Sequence, residues 1–246
     1  MLQVQSLSKT IPALFLENEA VMRISVIIPA LNEASTISSF LQHTTTIRGI
    51  HEVIVVDGGS TDGTPDIARK YARVIEGPRG RALQMNAGAT EADGDVFLFL
   101  HADTILPSNA AQAIQQSLFD GSVVGGRFRV RLDNTGWRYR MVSWSINMRD
   151  SLIRGFTGDQ AIFVRRDIFN NMGGYPPLAL MEDLAFGRCM YQEGKVVRLP
   201  DYVITSARRW ESGGVLRTVF LMWRLRLLYF MKFPSSLLMR WYGDPR

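Results

Sequence analysis

The sequence predicts an α/β protein built on one mostly parallel, doubly wound sheet flanked by helices. Short unbroken runs of β-branched and aliphatic residues alternate with stretches of helical patterning. Glycine and proline fall at the boundaries between them. Apolar runs with no in–out alternation belong to strands covered on both faces, which is the condition of a parallel sheet.

The elements follow in order. Ile24-Ser-Val-Ile-Ile28 is the first strand, ended by Pro29, and Glu33 to Ile47 reads as a helix. Glu52-Val-Ile-Val-Val56 is the second, broken by the glycine-rich loop Asp57 to Gly63. Thr64 with Pro65 opens a helix to Tyr71, proline being at home in a first turn. Arg73 to Glu76 is a short third strand, followed by Gly77-Pro-Arg-Gly80 and a helix through Ala89. Asp95 to Leu100 is the fourth strand, and Pro107 begins the next helix. Beyond Gly121 the texture changes: Val123 to Leu132 is a longer, more polar strand, and Trp137 to Arg149 a helix. Glu182 to Glu193 is a helix stopped by Gly194, and Lys195 to Leu199 a closing strand. No linker rich in Pro, Gly or Ser divides the halves, so they share one domain.

Composition narrows the partners. The 246 residues are 46% hydrophobic and 21% charged, which excludes a disordered chain. One cysteine, Cys189, excludes a disulfide framework or multi-cysteine zinc site and favours a reducing compartment. No stretch approaches the roughly 20 apolar residues of a membrane span. The net charge of +5, with Lys and Arg dense from Arg127 onward, suits phosphorylated substrates or anionic lipid. No zinc-finger spacing, recognition-helix signature or RNA-binding aromatic motif is present, so no nucleic-acid partner is expected. Residues 1–21 carry no convincing leader and read as an N-terminal extension, either a stretch ahead of a natural start at Met22 or a frayed or packed N-terminal arm. The domain is expected over 22–211, and a basic amphipathic segment over 212–246.

Ligands of open α/β sheets bind beyond the carboxyl ends of the strands, and four polar clusters stand there. Asn32 and Glu33 follow the first strand, Asp57 the second, Arg79 and Arg81 the third, His101 and Asp103 the fourth. Each alone is an ordinary turn or cap residue; together they mark one edge. The Asp57 loop is neither a Walker loop nor a dinucleotide fingerprint. Its carboxylate can accept the ring N–H of uracil or guanine, or a ribose hydroxyl. His101-Ala-Asp103 has the short spacing of a divalent-cation site, where Mg²⁺ or Mn²⁺ takes a carboxylate and two diphosphate oxygens. Glu182-Asp183 opens a helix, where two acids also complement the dipole. Arg208-Arg209-Trp210 is either a surface cation–π cluster or a phosphate clamp.

From about Ile24 to Trp210 the chain resembles the family 2 glycosyltransferases of the GT-A fold. The strings that carry the resemblance are Ser25-Val-Ile-Ile-Pro-Ala-Leu-Asn-Glu33, Val55-Val-Asp-Gly-Gly-Ser-Thr-Asp-Gly-Thr64 and Arg79-Gly-Arg-Ala-Leu-Gln-Met-Asn-Ala-Gly88. Phe99-Leu-His-Ala-Asp-Thr104 follows, then Gly173-Gly-Tyr ahead of Glu182-Asp-Leu184 and Arg188. The resemblance implies a single GT-A-like domain and a UDP- or GDP-linked sugar donor. It implies Pro29, Ala30, Asn32, Glu33, Asp57, Gly58, Arg79, Arg81, Ala102, Arg208, Arg209 and Trp210 around the nucleotide sugar. It also implies Asp103 on a Mn²⁺ or Mg²⁺ ion and Asp183 as the base on the acceptor hydroxyl. His101 stands where the family carries its first metal-motif Asp, which leaves Asp103 as the main ligand. Ser206-Ala-Arg-Arg-Trp210 resembles the Q-x-x-R-W motif of processive synthases with Ser for Gln. The expected activity is metal-dependent inverting glycosyl transfer. A sugar-nucleotide pyrophosphorylase would need a Gly-rich, Lys-bearing loop after the first strand, where Pro29-Ala-Leu-Asn-Glu33 stands instead. A nucleotide-sugar sensor without turnover remains the non-enzymatic reading.

Val215 to Phe233 is basic and rich in Trp, Phe and Leu. Leu216, Phe220, Trp223, Leu227 and Phe230 recur at helical spacing along one face. That stripe suits a membrane interface, a second subunit or the protein's own domain. The first would place the protein in the cytoplasm, peripheral on the inner face of the membrane, with a lipid-linked acceptor.

Overall fold

The computed structural model describes residues 22–153 and 155–243. The N-terminal extension at 1–21 lies outside the described residues. Strands β1 (Ile24–Ala30), β2 (Ile50–Asp57), β3 (Arg73–Glu76) and β4 (Val96–Phe99) are parallel and lie in the order β3-β2-β1-β4. The sheet continues through β7 (Ile162–Arg165), β6 (Val123–Leu132), β8 (Lys195–Thr205) and β5 (Thr104–Ile105). β7 runs antiparallel to both β4 and β6, β8 parallel to β6, and β5 antiparallel to β8. Among the described residues the expectation of a mostly parallel sheet is borne out.

Alternate residues of each central strand enter opposite cores. Val26 and Ile28 of β1 pack with Phe40 and Leu41 of α1 (Ile37–Thr45) and Ile114 of α4 (Ala110–Leu118). Ile27 faces the other way, toward Ala82 and Met85 of α3 (Arg81–Glu91) and Phe186 of α7 (Glu182–Glu193). Both faces are covered, so the strands read as unbroken apolar runs. Each large aliphatic side chain so buried contributes about 1.5–3 kcal/mol. Gly88 lets α3 sit close, because a Cβ there would collide with Ile27 and Val56.

Helix α5 (Trp137–Ile153) closes an open edge. β7 pairs with β6 only at Gly125 and Gly126. Farther along β6, the Val130 amide donates to Asn147 Oδ1 and the Leu132 amide to Ser143 Oγ, both at 3.0 Å. Side chains of α5 thus satisfy strand groups that would otherwise lie exposed at an edge.

Several boundaries differ from expectation. α1 starts at Ile37 and not Glu33, because Asn32 is left-handed (φ 54°) and the Glu33 amide donates to Thr64 Oγ1 at 2.8 Å. β8 runs on to Thr205 past Pro200, since its register with β6 jumps from Arg127–Arg198 to Arg129–Tyr202 and the bulge takes up the proline. The helix expected to Phe233 ends at Phe230 as α9 (Val215–Phe230). Helices α2 (Thr64–Ala68), α6 (Arg166–Asn171), α8 (Arg208–Gly213) and α10 (Ser235–Tyr242) complete the set. Leu225 of α9 and Leu238 of α10 bury themselves against Leu180, Met181 and Leu184, so the C-terminal helices pack beside the start of α7.

Candidate active site

β1 and β4 leave the sheet at neighbouring points, while the chain winds outward through β2 on one side. This switch point opens a crevice beyond their carboxyl ends. Gln84 of α3 bolts one wall, its Nε2 donating to Ala30 O at 2.9 Å and Val56 O at 2.8 Å. Asp57 shapes the next loop: its Oδ2 accepts the amides of Gly59 (3.0 Å) and Ser60 (2.9 Å), while its buried Oδ1 has no hydrogen-bond partner. Asn32 reaches across to the same loop, its Oδ1 accepting the Thr61 amide at 2.9 Å. Asn86 clamps the turn at Gly173 and Gly174 through two bonds to the Tyr175 backbone, at 2.9 and 2.8 Å.

Two cavities of about 160 and 220 Å³ lie side by side here. The first is lined by Pro29, Ala30, Glu33, Arg79, Gln84, Ala102 and, from the C-terminal helix, Met239. The second is lined by Arg149, Gly158, Asp159, Asp183, Arg209, Trp210, Trp223 and Arg226. Arg81, His101, Asp103, Leu180, Glu182 and Tyr242 line both. Asp183 belongs to the second alone.

The electrostatics of the shared wall are strongly coupled. Burial and Asp183 push the Glu182 carboxyl up to about 7, against the pull of Arg81. Burial raises Asp183 as well, opposed by hydrogen bonds from the Gly158 amide (2.8 Å) and the Leu184 amide (2.7 Å). Asp159 adds to that rise and Arg226 subtracts from it. Burial works against the Arg81 charge, but Tyr242, Glu182, Asp183 and Asp103 together hold its guanidinium above the usual range. Burial and Arg81 drive the His101 imidazole down to about 3 despite Asp159. His101 is therefore neutral at physiological pH. A Cβ at Gly158 would lie 2.5 Å from His101 Nε2, so the Gly158 turn covers that nitrogen.

The structure thus brings Pro29, Ala30, Glu33, Arg79, Arg81, His101, Ala102 and Asp103 around the first cavity. Arg209 and Trp210 fall on the second. Asn32, Asp57 and Gly58 line neither and build the wall behind; a Cβ at Gly58 would press on the Gln84 amide. Arg208 spans two clusters, with Nη2 3.3 Å from Glu33 Oε2 and 3.7 Å from Asp103 Oδ2. Glu182, in the first turn of α7, is 5% exposed and lines both cavities, so it belongs to the site as well as to the end of the helix dipole. Arg209 stacks on Tyr242, its Cζ 3.8 Å from the ring centroid.

Sequence reasoning missed Gly158, Asp159, Arg149 and Tyr242, and it expected Arg226 near lipid headgroups at the border of the apolar stripe, whereas Arg226 lines the second cavity. The Gly158-Asp159 pair is a turn signal of the kind that marked Asp57, and it stands in a stretch left without any element. The others lie on helices, where nothing local distinguishes a lining residue. Among the described residues, the trio of metal-ligand type that converges is His51, Glu52 and Asp93, at the opposite end of the sheet. Asp93 there is already bonded to His51 at 2.8 Å and Arg23 at 3.2 Å.

Comparison with known proteins agrees with this geometry. The sequence profile of glycosyl transferase family 2 matches residues 25–174. The chain is 31% identical over 211 residues to the PGL/p-HBAD biosynthesis glycosyltransferase of Mycobacterium bovis BCG, an overlap of 79% of each chain. It is 30% identical over 173 residues to glycosyltransferase AglE of Haloferax volcanii, covering 62% of this chain and 56% of that protein. The mannosyltransferase of Pyrobaculum calidifontis, solved in complex with GDP-Man and Mn²⁺, shares the fold with a TM-score of 0.63. That match covers 84% of this chain and 61% of the other at 23% identity. The chain therefore spans little more than half of AglE and about three fifths of the mannosyltransferase. The profile match, over more than half of the residues, and the relative at 31% identity bear out the expectation of a glycosyltransferase: the chain belongs to glycosyl transferase family 2.

Proposed function

We propose that this chain transfers a glycosyl group from a UDP- or GDP-linked sugar to an acceptor hydroxyl, with inversion at the anomeric carbon. One observation carries the reading: two cavities meet at Arg81, Asp103 and Glu182, and Asp183 faces only the second. The first cavity is the donor side, the second the acceptor side. Asp183 takes the acceptor proton, and burial, which raises its proton affinity, suits it to that work. The freed oxygen attacks the anomeric carbon. The bond to the diphosphate oxygen breaks, its electron pair leaving with the nucleoside diphosphate, and Arg79 and Arg81 meet the charge that develops. The partnerless Oδ1 of Asp57 supports a nucleoside N–H or hydroxyl as the group that completes this carboxylate.

The residues present fit a hard divalent cation through one ligand. The Asp103 carboxylate lines both cavities, and among the described residues its oxygens have the Thr104 hydroxyl at 3.4 Å and Arg208 at 3.7 Å beside them. Asp103 would hold Mn²⁺ or Mg²⁺ together with diphosphate oxygens, and His101, with Nε2 covered, would not be its equal. Such an ion, when bound, neutralises charge on the leaving diphosphate. Trp223 of α9 lines the second cavity beside the exposed stripe of that helix, which supports a lipid-linked acceptor and a position peripheral on the inner face of the membrane.

A thermal-shift screen of UDP- and GDP-sugars with Mn²⁺, Mg²⁺ or EDTA, paired with an assay of nucleotide release, tests the reading. The expected result is one preferred donor, a shift that needs the cation, and slow donor hydrolysis. No shift with any nucleotide sugar would overturn it, and a shift without turnover under any condition would favour the sensor reading.

A further inference from the structure

Helices α5 and α9 present two apolar stripes to solvent on one surface. On α5, Trp137 (67% exposed), Met141, Trp144 (64%) and Met148 recur at spacings of four, three and four. On α9, Leu216 (74%) and Phe220 (74%) begin the second stripe. The stripes border one groove of about 660 Å³, into which Trp137, Met141 and Leu216 all face. Spacing alone revealed only the second. On the far side of α5 lies another groove, of about 610 Å³, lined by Trp144 and Met148 together with Arg129, Arg131, Arg140 and Arg198. Among the described residues no carboxylate lines it. Tyr202 also lines it, with Arg131 4.5 Å and Arg129 5.7 Å from the ring centroid.

Charge selects the occupant. Residues 134–149 and 215–242 contain no Asp or Glu, whereas both segments carry arginine beside their stripes. Apolar aromatic side chains flanked by basic ones, with no acids between, match the boundary between acyl chains and anionic headgroups. A soluble protein partner would meet Arg129, Arg131 and Arg140 in one groove with no carboxylate among its described lining residues. We infer that this face docks on an anionic lipid bilayer, with Trp137, Met141, Trp144, Leu216 and Phe220 entering the interface and Arg129, Arg131 and Arg140 holding headgroup phosphates. None of these eight residues lines the donor or acceptor cavity, so docking stands apart from the transfer reaction.

Flotation of the full chain with phosphatidylglycerol–phosphatidylcholine vesicles and with pure phosphatidylcholine vesicles tests the proposal without donor or acceptor. The full chain is expected to float with the anionic vesicles, to release in high salt and to ignore the neutral ones. The triple variant Arg129→Gln, Arg131→Gln, Arg140→Gln should bind at least tenfold more weakly. Arg198 is left in place because it donates to Asn147 O at 2.8 Å and supports α5. Trp137→Ser with Trp144→Ser should weaken binding as well, and in the unaltered chain brominated lipid should quench tryptophan fluorescence. The donor-induced thermal shift, unchanged in both variants, shows that they fold and separates this proposal from the donor-site reading. Full binding by the triple variant, or equal binding to neutral vesicles, overturns the headgroup role. Failure to bind either vesicle overturns the docking itself, and a dimer in that case would assign the stripes to a second copy.

Discussion

The Arg208 guanidinium bonds the Glu33 carboxylate at 3.3 Å across 175 positions of sequence, which fastens the start of α8 to the loop leaving β1. The same nitrogen stands 3.7 Å from Asp103, so one cation touches two of the four clusters at the crevice. All three side chains are partly exposed, and such pairs contribute less than about 1 kcal/mol to folding. Their consequence is therefore in binding. Removing the positive charge beside Asp103 should let the metal alone bind more tightly, while removing a cation from the crevice should weaken a diphosphate. Arg208→Gln is expected to raise Mn²⁺ affinity severalfold and to lower nucleoside-diphosphate affinity at saturating Mn²⁺. Calorimetric titration of each ligand checks both signs, and a parallel loss of both would mean that Arg208 only holds the fold.

Asp183 should act on turnover alone. It lines only the cavity on the acceptor side, so its loss belongs to the transition state and not to donor binding. Asp183→Asn keeps the acceptor oxygen for the Gly158 amide but cannot take a proton. The expected outcome is a fall in kcat of about 10²–10⁴-fold with donor Kd within twofold of the parent. Steady-state kinetics with equilibrium titration checks the split.

Asp57 is a different kind of carboxylate. Because its Oδ2 gathers the Gly59 and Ser60 amides, Asp57→Ala would leave two amides without partners and damage the loop as well as any ligand contact. Asp57→Asn separates the two roles, since its amide oxygen can still accept from the loop while its NH₂ replaces the partnerless Oδ1. The melting temperature is expected to stay within a few degrees while nucleotide affinity falls at least tenfold. Unchanged affinity would make Asp57 a loop anchor only.

What was legible in the sequence follows from physics that acts locally. β1, β2 and β4 are buried on both faces, and that burial writes unbroken apolar runs such as Val26-Ile-Ile28 into the chain. The polar residues at their ends were equally legible, because each interrupts such a run. The rest depends on partners far away in sequence. β7 is four residues long and is a strand only because β4 and β6 accept it antiparallel. Pro200 ended the closing strand on paper, yet the bulge against β6 absorbs it. Glu182 looked like a dipole-complementing acid because nothing local reports that Leu225 and Leu238 close over the start of its helix.

That burial gives Glu182 a pH signature. Its carboxyl titrates near 7 in the folded protein and near the ordinary value of about 4.3 in the unfolded chain. Between these values the folded state holds the extra proton. Stability is therefore fully present below about pH 4 and is lost as pH rises through about 7. Glu182→Gln fixes the neutral form. The variant is expected to melt a few degrees above the parent at pH 8 and to match it at about pH 4 and below. The depressed His101 imidazole contributes with the opposite sign in both proteins, and the difference between melts reads Glu182 together with the Asp183 it repels.

Gly158 supplies the sharpest test of the acceptor side. Its amide donates to Asp183 Oδ2 at 2.8 Å, which aims the carboxylate, and its missing side chain leaves room for His101. A Cβ there would meet His101 Nε2 at 2.5 Å and Cε1 at 2.9 Å, well inside ordinary contact. In Gly158→Ala either the turn retreats, taking the amide from Asp183, or the ring is pushed toward the second cavity. Displacements on the order of 1 Å at a reacting group cost about 10²-fold in rate. Walls of the donor cavity formed by Pro29, Ala30, Arg79 and Gln84 lie outside this contact, so donor affinity should change little. Turnover in Gly158→Ala is therefore expected to fall by about one to two orders of magnitude at nearly constant donor Kd. His101→Ala in the same chain removes the obstructing ring, and the double variant should recover most of the rate, a coupling that a double-mutant cycle reads directly. His101→Ala alone should cost little turnover if Asp103 is the main ligand. No recovery in the double variant would show that Gly158 is needed for a reason other than space for the ring, and a large loss in His101→Ala alone would return the imidazole to the metal.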